Sequence, residues 1–190
     1  FNRIFALIQL MEISATNLTG EQQEYLGKIH QIVADGLGMI RNLLDNRRLE
    51  DQGIDFTLEP LNISVLLGSL IKNYRTLAEK KKIQMHFDTS KQSVVVADKL
   101  YLYRIFENLI SNALKFSPAN KHIYTSIEEV ENKIVVKVRD EGPGFTIEDQ
   151  RQLYRKFQRL SARPTGGESS TGLGLSIVKA LVEKMNGELI

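Results

Sequence analysis

Residues 104–118 constrain the fold of this 190-residue chain most, because their side chains follow two separate stripes of one helix. At about 100° per residue, the apolar stripe predicts packing against a core. It consists of Leu102, Ile105, Phe106, Leu109 and Ala113. Asn108, Asn112 and Lys115 follow the second stripe. Amides are poor helix-interior residues because they compete with the backbone for hydrogen bonds, so this stripe fits either a solvated face or a ligand site.

The composition predicts a globular chain without a strong charge bias. Hydrophobic residues make up 42% of it, and 25 Lys+Arg against 23 Asp+Glu leave a formal charge of +2. This balance argues against a nucleic-acid partner, and no apolar run approaches the roughly 18 residues that span a bilayer, so no membrane contact is expected. The absence of cysteine fits a reducing, cytoplasmic compartment. The run Lys80–Lys82 predicts a solvated helix end, where cations suit the helix dipole.

Residues 1–53 are expected to form an antiparallel helical hairpin. Apolar side chains at helical spacing predict a first helix over residues 1–16, and Thr19 with Gln22 forms a capping-box pattern before a second. The second helix carries a seam typical of coiled coils, Leu26, Ile29, Val33, Leu37, Ile40 and Leu44. Because the apolar stripe is too wide for one partner, two copies are expected to pair into a four-helix bundle. The alternative is that the hairpin packs on the rest of its own chain.

Residues 54–190 are expected to form a second domain, with the boundary at Gly53. Strands and helices alternate there without regular βαβ spacing, which predicts an α/β sandwich whose mixed sheet is covered on one face by helices. The fold class of the whole chain is therefore α+β. The predicted strands cover residues 54–59, 83–87, 94–97, 122–130 and 133–139. Four helices are predicted in this domain. The first follows a cap at Asn62 or Ser64, the second begins near Asp98, and the other two cover residues 148–157 and 173–185.

Two glycine-containing segments suit a ligand, one a flat group and the other a phosphate. Asp140 ends a predicted strand and precedes Gly142 and Gly144, and glycine removes the Cβ that would block the approach of a flat ligand. Gly172 and Gly174 open a helix, and free N–H groups at a helix start favour phosphate. Neither segment is a Walker loop or a Rossmann fingerprint.

In this order and spacing, the segments resemble the ATP-binding domain of sensor histidine kinases of two-component systems, within the GHKL (Bergerat) superfamily that includes DNA gyrase and MutL. Asn108–Ser117 is similar to the N box, Asp140–Phe145 to the G1 box, Tyr154–Leu160 to the F box and Thr171–Leu175 to the G2 box. Residues 1–53 resemble the family's dimerisation and histidine-phosphotransfer hairpin.

The resemblance implies a role for each matching residue. Asn112 would bind Mg²⁺, which needs few protein oxygens, and Asn108 would help hold that site. Lys115 would reach the phosphates, and Asp140 would accept the adenine amino proton. Arg159 would face the γ-phosphate, where positive charge offsets the charge that develops during transfer. Asn108, Lys115 and Arg159 are thus the expected catalytic residues.

A wider ATP-binding set follows from the same resemblance. Phe116 would line the adenine pocket, the second pair of glycines would wrap the phosphates, and residues 146–171 would form a mobile lid. The set consists of Asn108, Asn112, Lys115, Phe116, Asp140, Gly142, Gly144, Phe157, Thr171, Gly172, Leu173, Gly174 and Leu175.

The sequence departs from the family pattern in two places. Ser170 stands where the G2 loop usually has a glycine, which leaves the lid geometry open. The acceptor histidine is expected just before Phe1, so the chain is expected to be truncated there and within a strand at its other end. His30, His86 and His122 are expected not to be the acceptor. The chain is therefore expected to bind ATP without phosphorylating itself.

The predicted function is the catalytic core of a sensor histidine kinase that acts as a homodimer through residues 1–50. It would transfer the γ-phosphoryl group of Mg-ATP to a histidine and then to an aspartate of a response regulator. Membrane anchoring of the whole protein stays open. One alternative is another ATPase of the superfamily that drives conformational change or phosphorylates serine, and a second is a non-catalytic dimer scaffold with an inactive nucleotide site.

Overall fold

The computed structural model describes residues 2–14, 17–50, 55–88, 93–168 and 170–190. It divides the chain into two compact units, Phe1–Arg47 and Arg48–Ile190. The predicted boundary at Gly53 lies outside the described residues.

The first unit contains two helices, α1 over Asn2–Ser14 and α2 starting at Gly20 and extending to Glu50. The predicted capping box is confirmed at the start of α2. The backbone N–H of Thr19 donates to Gln22 Oε1 at 2.9 Å, and the N–H of Gln22 donates to Thr19 Oγ1 at 3.3 Å. These two bonds satisfy donors that an uncapped helix start leaves without partners.

A small buried cluster joins the two helices. Ile8 of α1 lies in it with Leu26 and Val33 of α2. The predicted seam is only partly buried, because Ile29 is 44% exposed and Leu44 is 52% exposed. The first unit thus leaves a large apolar surface on its helices.

The second unit is a mixed α+β fold. Its elements in chain order are β1 (Leu58–Asn62), α3 (Ile63–Lys80), β2 (Gln84–Asp88), β3 (Val94–Asp98), α4 (Lys99–Phe116), β4 (His122–Val130), β5 (Lys133–Asp140), α5 (Ile147–Gln152) and α6 (Gly174–Lys184). The described strands form two sheets instead of the single mixed sheet predicted. In one, β1 pairs antiparallel with β3, and in the other β4 pairs parallel with β2 and antiparallel with β5.

Two predicted elements differ from the structure. The first strand begins at Leu58 and includes Pro60, whereas residues 55–57 lie outside it. Proline is compatible with β1 because this strand pairs on one side only, and proline within sheets is confined mainly to such edge strands. Helix α5 ends at Gln152 and does not reach Phe157, which adopts a left-handed φ of 60° that a helix cannot continue through.

Helices α3, α4 and α6 share one core with the strands. Its fully buried side chains include Leu67, Leu70, Ile110, Leu114, Ile123, Leu173, Ile177, Val178 and Leu181. The apolar stripe predicted for α4 is confirmed, except that Leu109 is only partly buried. Helix α4 contacts both α3 and α6, so its polar stripe is held in a fixed direction.

Asp98 fixes the start of α4. Its Oδ1 accepts from the N–H groups of Leu100 and Tyr101, while its Oδ2 accepts from the N–H of Thr57 at 2.9 Å. The carboxylate therefore caps the helix and ties it to the segment before β1. Among the described helices, none combines the length and the apolar character needed to cross a membrane.

Candidate functional site

The polar stripe of α4 faces the first residue of α6. A Cβ added to Gly174 would lie 3.0 Å from Asn108 Oδ1 and 3.5 Å from Asn112 Nδ2. The amide of Asn108 donates from Nδ2 to the carbonyl of Arg104 at 2.9 Å, which leaves its oxygen turned toward α6. Two segments more than sixty positions apart in sequence thus place two amides against one glycine.

Helix α6 starts without a side-chain cap, in contrast to its neighbours. Asn62, Asp98 and Thr146 cap α3, α4 and α5, whereas Leu173 at the start of α6 forms no such bond. The first N–H groups of a helix lack partners within it and carry a partial positive charge. The start of α6 is therefore suited to bind an anion.

The end of β5 approaches the end of α4. Asp140 is exposed, and its Oδ1 accepts from the N–H of Gly142 at 2.7 Å. A Cβ added to Gly142 would lie 2.6 Å from that oxygen and 3.0 Å from the carbonyl oxygen of Phe116. A side chain here would be tight against both atoms, so glycine suits the position, and its backbone lies between the Asp140 carboxylate and the last residue of α4.

The predicted F and G2 boxes meet at Gly172. This residue has a φ of 69°, and a Cβ added to it would lie 2.5 Å from the carbonyl oxygen of Gln158. Thr171 Oγ1 accepts from the N–H of Leu173 at 3.4 Å, which orders the turn before α6. Leu173 is buried and Leu175 is half-buried.

Three predicted site residues lie on loops, and of these the backbone of Phe157 lies against Gly172, where an added Cβ would come 2.8 Å from its carbonyl carbon. Arg159 and Phe157 are exposed on the loop after α5. Within the described residues, no hydrogen bond or ion pair joins Arg159 to Asn108 or Asn112. Gly144 has a φ of 70°, and a Cβ added there would meet nothing within 4 Å. The expected roles of these three residues stay predictions.

Sequence reasoning missed a second set of contacts, on the loop between α5 and α6. The interpretation of Lys80–Lys82 as a solvated helix end is wrong for Lys81, whose side chain is only 14% exposed and pairs with Glu168. Burial alone would raise the pKa of Glu168, but hydrogen bonds from Lys81 and Gly166 hold it below its ordinary value. Three consecutive lysines look alike in sequence, so no signal indicated which one turns inward.

Asp149 holds the beginning of the same loop. Its carboxylate accepts from the Oγ of Ser161 and, at 2.8 Å, from the Ser161 N–H. It also accepts from the N–H of Thr146 at 3.0 Å, completing a capping box. The hydroxyl of Ser161, followed by these backbone N–H groups, lowers the pKa of Asp149 far below its ordinary value. The spacing of Thr146 and Asp149 was a signal for this capping box.

Comparisons with known proteins agree on a family for the second unit. Residues 97–190 match the family described as "Histidine kinase-, DNA gyrase B-, and HSP90-like ATPase". The swarming motility regulation sensor protein RssA of Serratia marcescens is 28% identical over 184 residues, covering 96% of this chain and 39% of RssA. The sensor histidine kinase GacS of Pseudomonas protegens is 32% identical over 200 residues, covering 99% of this chain and 21% of GacS.

Solved structures of histidine kinases share the fold. Full-length ShkA in complex with AMPPNP has a TM-score of 0.73 at 27% identity, covering 99% of this chain and 40% of ShkA. Histidine kinase ThkA in complex with the response regulator protein TrrA has a TM-score of 0.66 at 19% identity, covering 98% of this chain and 54% of that chain.

Residues 97–190 are thus an ATPase domain of the histidine kinase, gyrase B and HSP90 type. More narrowly, the similar proteins and structures support an ATP-binding catalytic core of the histidine kinase type in this chain. The chain spans well under half the length of the curated relatives reported above.

Proposed function

We propose that the whole protein is a homodimeric sensor histidine kinase in which this core binds Mg-ATP on the polar stripe of α4. The γ-phosphoryl group passes to a histidine expected just upstream of residue 1, and then to an aspartate of a response regulator. The observation that carries the proposal is the meeting of Asn108, Asn112 and Gly174, with the uncapped start of α6 beside them.

The nucleotide would lie along α4, with its two ends recognised by different segments. Gly142 lies between the Asp140 carboxylate and the carbonyl of Phe116. The carboxylate would accept the adenine amino proton while the ring of Phe116 lines the pocket. The phosphates would lie at the uncapped start of α6, against Gly172 and Gly174, within reach of Lys115. A carboxylate accepts from an adenine amino group but is repelled by the carbonyl oxygen that guanine carries there, so this assignment favours ATP over GTP.

The residues present fit a magnesium ion that is bound mainly through the nucleotide. Mg²⁺ prefers oxygen ligands, retains several waters and commonly joins one or two protein oxygens to phosphate oxygens. Asn112 would supply the protein oxygen, and Asn108 would keep it in place from the neighbouring turn of α4. When bound, the ion would neutralise negative charge on the phosphates.

Phosphoryl transfer would break the bond between the γ-phosphorus and the oxygen that bridges it to the β-phosphate, and ADP would leave. A bond would form between that phosphorus and an imidazole nitrogen of the acceptor histidine. Lys115 would offset the charge on the phosphates, and Arg159 would do so from the lid, residues 146–171. The remaining residues of the set, Gly142, Gly144, Phe157, Thr171, Leu173 and Leu175, would shape the pocket through their backbone.

The helices of the first unit support the proposed homodimer and its function as the phosphotransfer hairpin. They expose apolar side chains that include Ile4, Leu7, Met11, Ile13, Ile29, Ile32, Ile40 and Leu44. An apolar surface this extensive favours burial against a second copy. A response regulator is the proposed partner because the similar kinase ThkA was solved in complex with one.

Titration calorimetry of Asp140→Ala with Mg-ATP tests the nucleotide assignment. Losing a hydrogen bond to a charged acceptor costs roughly 1.5–3 kcal/mol, so affinity should fall about tenfold to a hundredfold. Asp140→Asn is the matched control for shape, since it keeps an acceptor oxygen for the Gly142 N–H without the charge. Unchanged ATP affinity in Asp140→Ala would refute the assigned adenine contact.

A phosphotransfer assay in a chain extended upstream separates the proposed reaction from the alternatives. A histidine kinase should form an acid-labile, base-stable phosphoryl bond on the added segment. An acid-stable phosphoserine would support the serine-kinase alternative, and a chain that binds no nucleotide would support the inactive scaffold.

A further inference from the structure

A lysine outside the loop between α5 and α6 ties that loop to the end of α4. Lys81, the capping residue directly after α3, donates from Nζ to the carbonyl oxygen of Leu114 at 2.6 Å. The same Nζ lies 3.5 Å from the carbonyl oxygen of Lys115 and donates to Glu168 Oε1 at 2.9 Å. One ammonium group therefore joins the end of α3, the last turn of α4 and the loop.

The loop closes around the carboxylate that Lys81 binds. Glu168 Oε2 accepts from the N–H of Gly166 at 2.9 Å, and Gly167 between them has a φ of 75°. Glycine adopts this left-handed conformation without the steric cost that a side chain would add. The Glu168 carboxylate is thus held through one oxygen by the N–H of Gly166 and through the other by Lys81.

Thr165 adds a second connection between the loop and α4. Its N–H donates to the carbonyl oxygen of Lys115 at 2.8 Å, and its Oγ1 donates to the carbonyl oxygen of Ser117 at 2.8 Å. The last carbonyl groups of a helix have no donors within it. Lys81 and Thr165 supply donors to the carbonyl groups of Leu114 and Lys115, and Glu168 accepts from the same Lys81 ammonium. Lys81, Thr165 and Glu168 are called the loop clamp below.

The ion pair of the loop clamp is largely shielded from water. Its two side chains are 14% and 16% exposed, whereas the pair of Lys137 and Glu128 is 56% and 43% exposed at a similar 2.6 Å. Exposed pairs contribute little to stability, but removing one partner of an enclosed pair leaves the other charge without compensation. The exposed pair is therefore a control for the enclosed one.

We propose that Lys81 is a positioning residue for the nucleotide reaction, acting by fixing Thr165–Glu168 against the carbonyl groups of Leu114 and Lys115 in the last turn of α4. The inference rests on the proposed function, which assigns Lys115 to the phosphates. The loop clamp sets the backbone of that turn and the distance of the lid from it. Lys81 contacts no nucleotide in this account.

The first test is amide hydrogen exchange of the chain without nucleotide, in Glu168→Gln, Lys81→Met and the double variant. Glu168→Gln keeps the shape of the carboxylate and removes its charge. Exchange at residues 161–168 should become about tenfold faster in either single variant, as expected when a charge-assisted hydrogen bond is lost. The double variant should be no faster than Lys81→Met, because the two residues act through one contact. Lys137→Met and Glu128→Gln should leave exchange in the loop unchanged.

The second test is titration of the same variants with Mg-ATP and with adenosine. Affinity for ATP should fall about fivefold in Glu168→Gln, while affinity for adenosine stays unchanged, because the loop clamp acts on the phosphate side. A merely structural role would lower both affinities together or neither. Glu168 lies on the loop, so Glu168→Gln keeps the test decisive if Lys81→Met does not fold.

Loop exchange at the wild-type rate in Glu168→Gln would overturn the loop clamp, and so would additive effects in the double variant. Equal losses of ATP and adenosine affinity would overturn the positioning role. A wild-type chain that binds no ATP would overturn the proposed function instead, and the exchange data would still decide whether the loop clamp exists.

Discussion

At the residue scale, glycines determine how closely the site segments approach one another. Gly174 faces two amides of α4, Gly142 faces the carbonyl of Phe116, and Gly172 faces the carbonyl of Gln158. An added Cβ would lie 2.5 Å from the Gln158 carbonyl at Gly172 and 2.6 Å from the Asp140 carboxylate at Gly142, closer than real Cβ atoms come to other atoms. At Gly174 it would lie 3.0 Å from Asn108 Oδ1, a tight contact that a small shift of the amide relieves. The three positions differ in what must move, since an amide side chain yields more easily than backbone.

Gly174→Ala tests whether the amides of α4 form the magnesium and phosphate site. The new methyl group would lie 3.0 Å from Asn108 Oδ1, so the Asn108 amide should shift by a few tenths of an ångström and affinity for Mg-ATP should fall about tenfold. The fold should survive, since alanine is a better helix residue than glycine by about 1 kcal/mol. Calorimetry with Mg-ATP and thermal unfolding measure the two effects.

The control is Gly38→Ala in α2, where an added Cβ meets nothing within 4 Å. It should stabilise the chain slightly and leave nucleotide affinity unchanged. Equal affinities in Gly174→Ala and Gly38→Ala would remove Asn108 and Asn112 from the proposed site.

At the element scale, α5 depends on its surroundings. It covers only Ile147–Gln152, and an isolated helix of that length does not persist in water. The capping box of Thr146 and Asp149 holds its start, and Ser161 closes the loop back onto Asp149. The carboxylate of Asp149 is the common point of both contacts.

Ser161→Ala should weaken this arrangement in a pH-dependent manner. The pKa of Asp149 is lowered in the folded chain, so its ionised form stabilises the fold at neutral pH, and this stabilisation is lost as pH falls below the ordinary carboxyl range. Ser161→Ala removes the largest cause of the shift, so the loss of stability should be greatest near neutral pH and should shrink below about pH 4.

Urea unfolding of the wild type and Ser161→Ala from pH 7 to pH 3 measures that difference, with Ser69→Ala on the exposed side of α3 as the matched control. A stability difference that stayed constant over this range would show that the hydroxyl does not act through Asp149.

Local patterns predicted elements well where neighbouring residues determine the structure. The turn of the β4–β5 hairpin is an example, because Glu131 and Asn132 take left-handed φ values of 49° and 62°. The capping box of Thr19 and Gln22 is another. Sequence patterns did not predict the structure where a residue's contact partner lies far away in the sequence. The pairing of β1 with β3 places Pro60 in a strand, and the inward turn of Lys81 depends on carbonyl groups of α4.

At the scale of the whole molecule, the two units have different surfaces. The second unit buries a core shared by helices and strands, whereas the cluster buried among the described residues of the first consists of Ile8, Leu26 and Val33. The sequence predicted the wide apolar stripe of the first unit, and several described side chains of that stripe are exposed. Dimerisation therefore stays a prediction.

Ile29→Lys tests the proposed homodimer. Ile29 belongs to the predicted seam and is 44% exposed, so the substitution should leave the single chain folded. Burying an unpaired ammonium in an apolar interface costs several kcal/mol, which should weaken the dimer more than about tenfold. Sedimentation equilibrium measures the dissociation constant of the dimer, with Ala34→Lys outside the seam as the control. Equal dimer stability in the two variants would contradict pairing through this stripe.

Calorimetric titration of the unmodified chain with Mg-ATP and then with Mg-GTP tests the central claim most directly. That claim is that α4, the end of β5 and the start of α6 form one site for an adenine nucleotide. We expect one binding event per chain with ATP and at least tenfold weaker binding of GTP, on the order of 1.4 kcal/mol. No heat on adding Mg-ATP, or equal affinity for the two nucleotides, would contradict the account.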